Sequence, residues 1–124
     1  MNVLHTDKAP AAVGPYVQGM EHGGFIFTSG QLPINPETGQ LVSDCIKEAT
    51  RQSLTNVLEI VKAAGGKLEN IIKVSIFVKD MSDFAEINKE YEAFFGNHKP
   101  ARSCVEVARL PKDGRIEIEA IAYK

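Results

Sequence analysis

Hydrophobic residues recur along the chain with two different periods, and each change of period marks a new element. A period near 3.6 residues over positions 44–64, ended by a Gly-Gly pair, predicts an amphipathic helix. The short side-chain oxygen of Ser43 or Asp44 is a candidate cap for its first turn. A second helix is predicted from Ser82 to the Gly-Asn pair that follows residue 95, with its apolar positions on one face.

Strict alternation of apolar and polar residues predicts a strand in "IIKVSIFVK", residues 71–79. One face of this strand is expected to carry Ile72, Val74, Ile76 and Val78. Further strands are predicted at 16–21 and 25–31, joined by a Gly-Gly turn, and at 102–109 and 115–123, joined by "LPKDG". The predicted element order is ββαβαββ, an α+β fold in one domain spanning residues 1–124.

The order of elements predicts one mixed sheet with a bare face. Right-handed crossovers between parallel strands would put both helices on the same side of the sheet. The other side would then expose Phe77, Ile121 and Tyr123 among polar groups, and such an apolar surface usually contacts a partner. We therefore expect a homo-oligomer.

Composition narrows the functional classes. Fourteen basic and sixteen acidic residues give a net charge of -2, so no positive field would attract nucleic acid. No stretch is apolar enough for a membrane span or a signal peptide, which predicts a cytoplasmic protein. Cys45 and Cys104 are expected to be free thiols, and His5, His22 and His98 lack metal-ligand spacing. We expect no metal and no cofactor.

Arg102 and Cys104 are candidates for chemistry at the start of the strand predicted at 102–109. A guanidinium offers two parallel donors that match a carboxylate, so Arg102 could hold a small carboxylic acid; the alternative is a solvated surface arginine. Cys104 shares its face of the strand. It is either a nucleophile or a small buried residue, and the absence of a nearby histidine favours burial.

Glu117 and Glu119 are predicted to lie on the bare face of the sheet. If oligomerisation covers that face, at least one carboxylate loses water, its pKa rises, and it can act as a general acid or base. If the face stays wet, both carboxylates only aid solubility. In "TSGQLP", Ser29 offers a hydroxyl, and Gly30 would let a ligand approach the backbone.

Four segments together resemble one known family. They are "GPYVQG" at 14–19, "TSGQLPINPETG" at 28–39, "YEAFF" at 91–95 and "PARSCVEVARLPKDGRIEIEAIA" at 100–122. They resemble the RidA (YjgF) family of reactive-intermediate deaminases over essentially the whole chain. The resemblance implies a chorismate-mutase-like fold, a homotrimer, and ligand sites in the clefts between subunits.

The resemblance also implies roles for particular residues. Arg102 would bind the substrate carboxylate, and Glu117 would position water and transfer its proton. The other residues implied to line the same cleft are Tyr16, Ser29, Gly30, Asn88 and Cys104. The segment before the PARS motif is a few residues shorter here than in well-known bacterial members, which could alter substrate preference.

The implied activity is hydrolysis of 2-imino acids to 2-keto acids and ammonia without a cofactor. These imines, 2-iminobutanoate and 2-iminopropanoate, are released by pyridoxal-phosphate dehydratases. An alternative is a non-catalytic trimer that binds small carboxylates and regulates a partner. Ribonuclease activity or translation inhibition, the third hypothesis, is disfavoured because the chain shows no basic patch.

Overall fold

Six strands and two α-helices form the protein in the computed structural model, which describes residues 1–124. The elements are β1 Asn2–Leu4, β2 Gly19–His22, β3 Phe25–Thr28, α1 Ile46–Ala63, β4 Ile71–Val78, α2 Phe84–Phe95, β5 Ala101–Glu106 and β6 Ile116–Tyr123. The predicted order is confirmed with one addition, since β1 was not predicted. Its three residues are too few for an alternating pattern to show.

The strands form one mixed sheet in the order β1-β2-β3-β6-β4-β5. β4 and β5 are parallel and are connected through α2, whereas the other neighbours are antiparallel. Both helices pack on one face, where Leu54 and Ile87 join Ile26, Ile76 and Ile118 in a single core. The predicted α+β architecture, with both helices on one side of the sheet, is confirmed.

The first turn of α1 differs from the prediction. The residue before the helix is Cys45, which is extended (φ -133°, ψ 118°) and makes no side-chain capping bond. Ser43 and Asp44 therefore lie outside the capping position, and the predicted cap is wrong. α2 likewise begins later than predicted, because residues 81–83 form a 3-10 turn in which the Asp80 side chain accepts a hydrogen bond from Ser82 N.

A bulge in β4 overturns the predicted position of Ile72. Ile71 pairs with Ala122 and Lys73 with Ile121, so two steps along β4 oppose one step along β6. Ile71 consequently points into the core at 1% exposure, whereas Ile72 is 39% exposed. From Val74 onward the alternation is as predicted, with Val74, Ile76 and Val78 buried.

The face of the sheet opposite the helices is rich in apolar side chains. Phe25, Phe27 and Tyr123 are each almost half exposed there, and Phe77 and Ile121 are partly exposed. The predicted apolar face is confirmed, and the two phenylalanines of β3 make it larger than the sequence indicated. Neither helix of the protein is long and apolar enough to cross a bilayer.

Candidate active site

A cleft of ≈ 730 Å³, which we call the glutamate cleft, opens on the helix-free side of the sheet beside β6. Its lining includes Tyr16, Ser29, Gly30 and Glu117, which the sequence analysis singled out. Glu119, two residues along the same strand, also lines it. The structure therefore brings a carboxylate, a hydroxyl and a close-lying backbone segment to one place.

Gly30 lies directly against the Glu117 side chain. A β-carbon at position 30 would stand 2.8 Å from Glu117 Cδ and 3.0 Å from Oε1, closer than packed atoms tolerate. Any larger residue would have to push the carboxylate away. The lack of a side chain at Gly30 thus lets the Glu117 carboxylate approach the backbone closely, whereas the sequence analysis had expected a ligand to do so.

Gly30→Ala is expected to lower kcat/KM by about tenfold or more for any reaction that uses the Glu117 carboxylate, because the new methyl group displaces that carboxylate. Steady-state kinetics on the folded variant measure this loss. The same substitution in a Glu117→Ala background provides the control, since a methyl group cannot displace a carboxylate that is absent. Equal losses in both backgrounds would contradict the contact as the cause.

The glutamate cleft also changes the acidity of its carboxylate. Burial raises the pKa of Glu117, and the negative charge of Glu119 raises it further. A carboxylate with a raised pKa accepts a proton more readily than an exposed one. Glu117 is therefore suited to general base catalysis at a pH above its raised pKa.

A second cleft, of ≈ 540 Å³, lies on the helix side of the sheet at the start of β5. We call it the arginine cleft. Its lining includes Asn88, Tyr91, His98, Lys99 and Arg102. Two of its side chains are cationic, Lys99 and Arg102, against one acidic residue, Glu92, so the charge of the cleft suits a small anion.

Arg102 is held in place by α2. Its Nη1 donates to Asn88 Oδ1 at 2.8 Å, and its guanidinium carbon lies 4.8 Å from the ring centre of Tyr91 and 5.5 Å from that of Phe84. No other hydrogen bond joins the guanidinium to the protein. Its remaining donors can therefore bind an anion, while the aromatic rings fix the plane of the group.

Cys104 lies beside Arg102 on the side of β5 that faces the helices and packs against the core. Burial raises the pKa of its thiol, and the charge of Arg102 offsets only part of that effect. A thiol with a raised pKa is a poor nucleophile at neutral pH. These features favour the small buried residue over the nucleophile.

Strand register separates the two proposed catalytic groups. Val74 of β4 pairs with Arg102, so Arg102 lies on the core side. Phe77 pairs with Glu117 on the opposite side. Within one chain the structure thus groups Tyr16, Ser29, Gly30 and Glu117 in one cleft and Asn88 and Arg102 in the other. Cys104 lines neither cleft and packs against the core.

Tyr91 and Phe84 were seen in the sequence only as apolar positions of a helix, and their contact with Arg102 was missed. A signal existed, because Phe84, Asn88 and Tyr91 are spaced by four and three residues and so share one helix face. Burial raises the pKa of Tyr91 to about 12, so its hydroxyl stays protonated. No group of three or more His, Cys, Asp or Glu side chains is placed to hold a metal ion.

These features define a small α+β protein with two polar clefts on opposite sides of its sheet. Residues 6–124 match the family model described as Endoribonuclease L-PSP, and the chain belongs to this family, which includes the YjgF and RidA proteins. The resemblance drawn from the four sequence segments is confirmed.

Similar proteins extend over nearly the whole chain. The 2-iminobutanoate/2-iminopropanoate deaminase of Escherichia coli K12 is 60% identical over 124 residues, covering 98% of this chain and 96% of that protein. The crystal structure of the E. coli YjgF gene product superposes with a TM-score of 0.97 at 55% identity, covering 100% of this chain and 99% of that chain. E. coli TdcF with bound serine gives a TM-score of 0.96 at 50% identity, with the same coverage.

Proposed function

We propose that the protein is a hydrolytic deaminase that converts 2-iminobutanoate and 2-iminopropanoate to the corresponding 2-keto acids and ammonia. Relatives that are 58–60% identical to this chain carry that name. The observation that supports the chemistry is the half-buried Glu117 carboxylate with its raised pKa, packed against the backbone of Gly30. It is a proton acceptor in a cleft large enough for a small imino acid.

The reaction needs one proton relay. Glu117 accepts a proton from water as the water oxygen bonds to the imine carbon and the C=N π electrons move to nitrogen. Glu117 then returns this proton to the nitrogen of the tetrahedral carbinolamine. Glu117 then takes the hydroxyl proton and passes it to the departing nitrogen as the C=O bond forms and the C–N bond breaks, so that one water is consumed and one ammonia leaves.

Arg102 would hold the carboxylate of the imino acid. Because Arg102 and Glu117 lie on opposite sides of the sheet, one chain does not present both groups to the same small ligand. We propose that a second copy completes the site, in a homotrimer with three ligand sites between subunits. The apolar helix-free face of the sheet supplies a surface for such assembly. The serine bound to TdcF likewise carries an α-carboxylate.

The hydrogen bonds of the site support roles for the remaining residues. Ser29 Oγ donates its single proton to Val17 O at 2.6 Å, so toward a ligand it can only accept, as from an imine N–H. Asn88 acts on the substrate through Arg102, which it holds. Tyr16 is half exposed at the rim of the glutamate cleft. We propose that backbone groups of Cys104, two residues after Arg102 on β5, help to orient the ligand.

The decisive assay follows ammonia release from 2-iminobutanoate generated in solution by a dehydratase. The proposal predicts that the purified protein accelerates release above the spontaneous rate. If the protein binds 2-ketobutyrate but does not accelerate ammonia release, the proposed enzymatic activity is contradicted and the non-catalytic regulatory trimer is supported instead. The endoribonuclease described by the family model finds little support in a chain with a net charge of -2.

Glu119→Gln is expected to shift the pH dependence of kcat/KM. Glu117 must be ionised to accept a proton, so activity falls as pH drops through its pKa. Since the charge of Glu119 helps to raise that pKa, its removal should move the acidic limb to lower pH. A limb that stays in place, or moves to higher pH, would show that Glu117 does not control it.

A further inference from the structure

One wall of the glutamate cleft is a long segment without regular structure. Residues 5–18 connect β1 to β2, and Pro10, Ala11, Val13, Tyr16 and Gln18 among them line the cleft. Connections longer than about 12 residues are uncommon in compact proteins unless they are functional or disordered. The only backbone-to-backbone hydrogen bond made within residues 5–17 joins Tyr16 N to Gly14 O, so the backbone does not tie this wall to the sheet.

A buried glutamine supplies the missing attachment. Gln18 is 3% exposed, and the two N–H groups of its Nε2 donate to the carbonyl oxygens of Thr6 at 2.9 Å and Pro10 at 2.8 Å, with a longer, shared contact to Ala9 O at 3.3 Å. Its Oε1 accepts from Thr6 N at 2.7 Å. One side chain thus replaces the backbone ladder that the segment lacks, and both ends of the amide are used.

The backbone of Gln18 also connects this wall to the opposite one. Gln18 O accepts from Ser29 N at 2.9 Å, and the neighbouring Val17 O accepts from the Ser29 hydroxyl. Ser29 precedes Gly30, which lies against Glu117. A short chain of hydrogen bonds therefore runs from the 6–10 segment through Gln18 to the backbone beside the carboxylate.

We infer that Gln18 is a positioning residue for the deaminase: its side-chain amide fixes the 6–10 segment as a wall of the substrate cleft. The inference rests on the proposed function and extends it to a residue whose side-chain amide is bonded to the backbone of the cleft wall, so that it acts on the substrate through that wall. Because the wall shapes the space for the substrate and does not move protons, loss of the amide should weaken substrate binding more than it slows turnover.

Gln18→Met tests this directly, since methionine has a similar length and volume but makes none of the four hydrogen bonds. We expect KM for 2-iminobutanoate and Kd for 2-ketobutyrate to rise by about tenfold or more, with a much smaller change in kcat. Asn70→Leu is the matched control. Its amide oxygen fixes another turn by accepting from Lys67 N at 2.9 Å, and it lines neither of the two clefts described here. A folded Gln18→Met protein with wild-type KM and Kd would overturn the inference.

Hydrogen exchange provides a readout that does not depend on catalysis. In Gln18→Met, exchange should accelerate at residues 6–16 and stay unchanged in α1. If this variant fails to fold, Gln18→Glu keeps the acceptor for Thr6 N, removes the amide donors, and should change exchange and Kd in the same direction. Unchanged exchange at residues 6–16 would show that the Gln18 amide does not fix this segment. A wild-type protein without deaminase activity would refute only the proposed function, because exchange and 2-ketobutyrate binding still decide the role of Gln18.

Discussion

Arg102→Ala should lower kcat/KM for 2-iminobutanoate by about 10²-fold or more. Hydrogen bonds to charged groups contribute about 1.5–3 kcal/mol each, and about 1.4 kcal/mol corresponds to a factor of ten in rate. Losing a bidentate contact with the substrate carboxylate therefore has an effect of this size. The protein should still fold, because the arginine side chain lies at the edge of the core and is not among its buried residues. Steady-state ammonia release and circular dichroism measure the two effects separately.

Arg51→Ala is a closely matched control for that substitution. Like Arg102, Arg51 lies near an aromatic ring of α2, with its guanidinium carbon 5.6 Å from the ring centre of Phe94. It also bonds to an α2 side chain, that of Glu90. Arg51 lines neither cleft. Its loss should leave kcat/KM unchanged. Equal effects of the two substitutions would mean that Arg102 acts only through helix packing.

Glu117→Gln is expected to reduce kcat by about 10²–10⁴-fold, the usual contribution of general acid-base catalysis. Glutamine keeps the size of the side chain and its contact with Gly30 but cannot accept the proton of water. Binding of 2-ketobutyrate should persist, because the carboxylate of the ligand is held by Arg102. Kinetics and isothermal titration calorimetry on the same preparation separate turnover from binding.

Glu119→Gln is the control for the loss of charge. Glu119 lines the same cleft from the same face of β6, so its substitution removes an equal charge two residues away. At a pH above the acidic limb it should retain most of the wild-type kcat. Wild-type turnover in Glu117→Gln would exclude Glu117 as the base.

Much of the fold could be predicted, because the helices and β4 are long enough for their periods to be unambiguous. Ile72 was misplaced because a bulge depends on how β4 pairs with β6, and local alternation contains no information on that register. β1 was missed because its partner Gly19–His22 lies beyond a segment of irregular structure. The cap of α1 was wrong because Cys45 precedes the helix in an extended conformation that its sequence does not specify.

The candidate site was predicted residue by residue but not as two separate clefts. Alternation in β6 correctly placed Glu117 on the bare face. The side of the sheet on which Arg102 lies depends on its pairing with Val74. That pairing is known only once the register of the parallel strands β4 and β5 is known. The role of Gln18 could not be predicted, because most of its partners are backbone carbonyls of an irregular segment.

The most direct test of the central claim, that each site takes Arg102 from one subunit and Glu117 from another, is complementation between two inactive variants. Arg102→Ala and Glu117→Gln chains are mixed in equal amounts, unfolded and refolded together, and assayed for ammonia release. If the site spans two subunits, random assembly regenerates intact pairs and should restore about a quarter of the wild-type activity. No recovery above the sum of the separate variants, in mixed oligomers verified by mass spectrometry, would contradict the account.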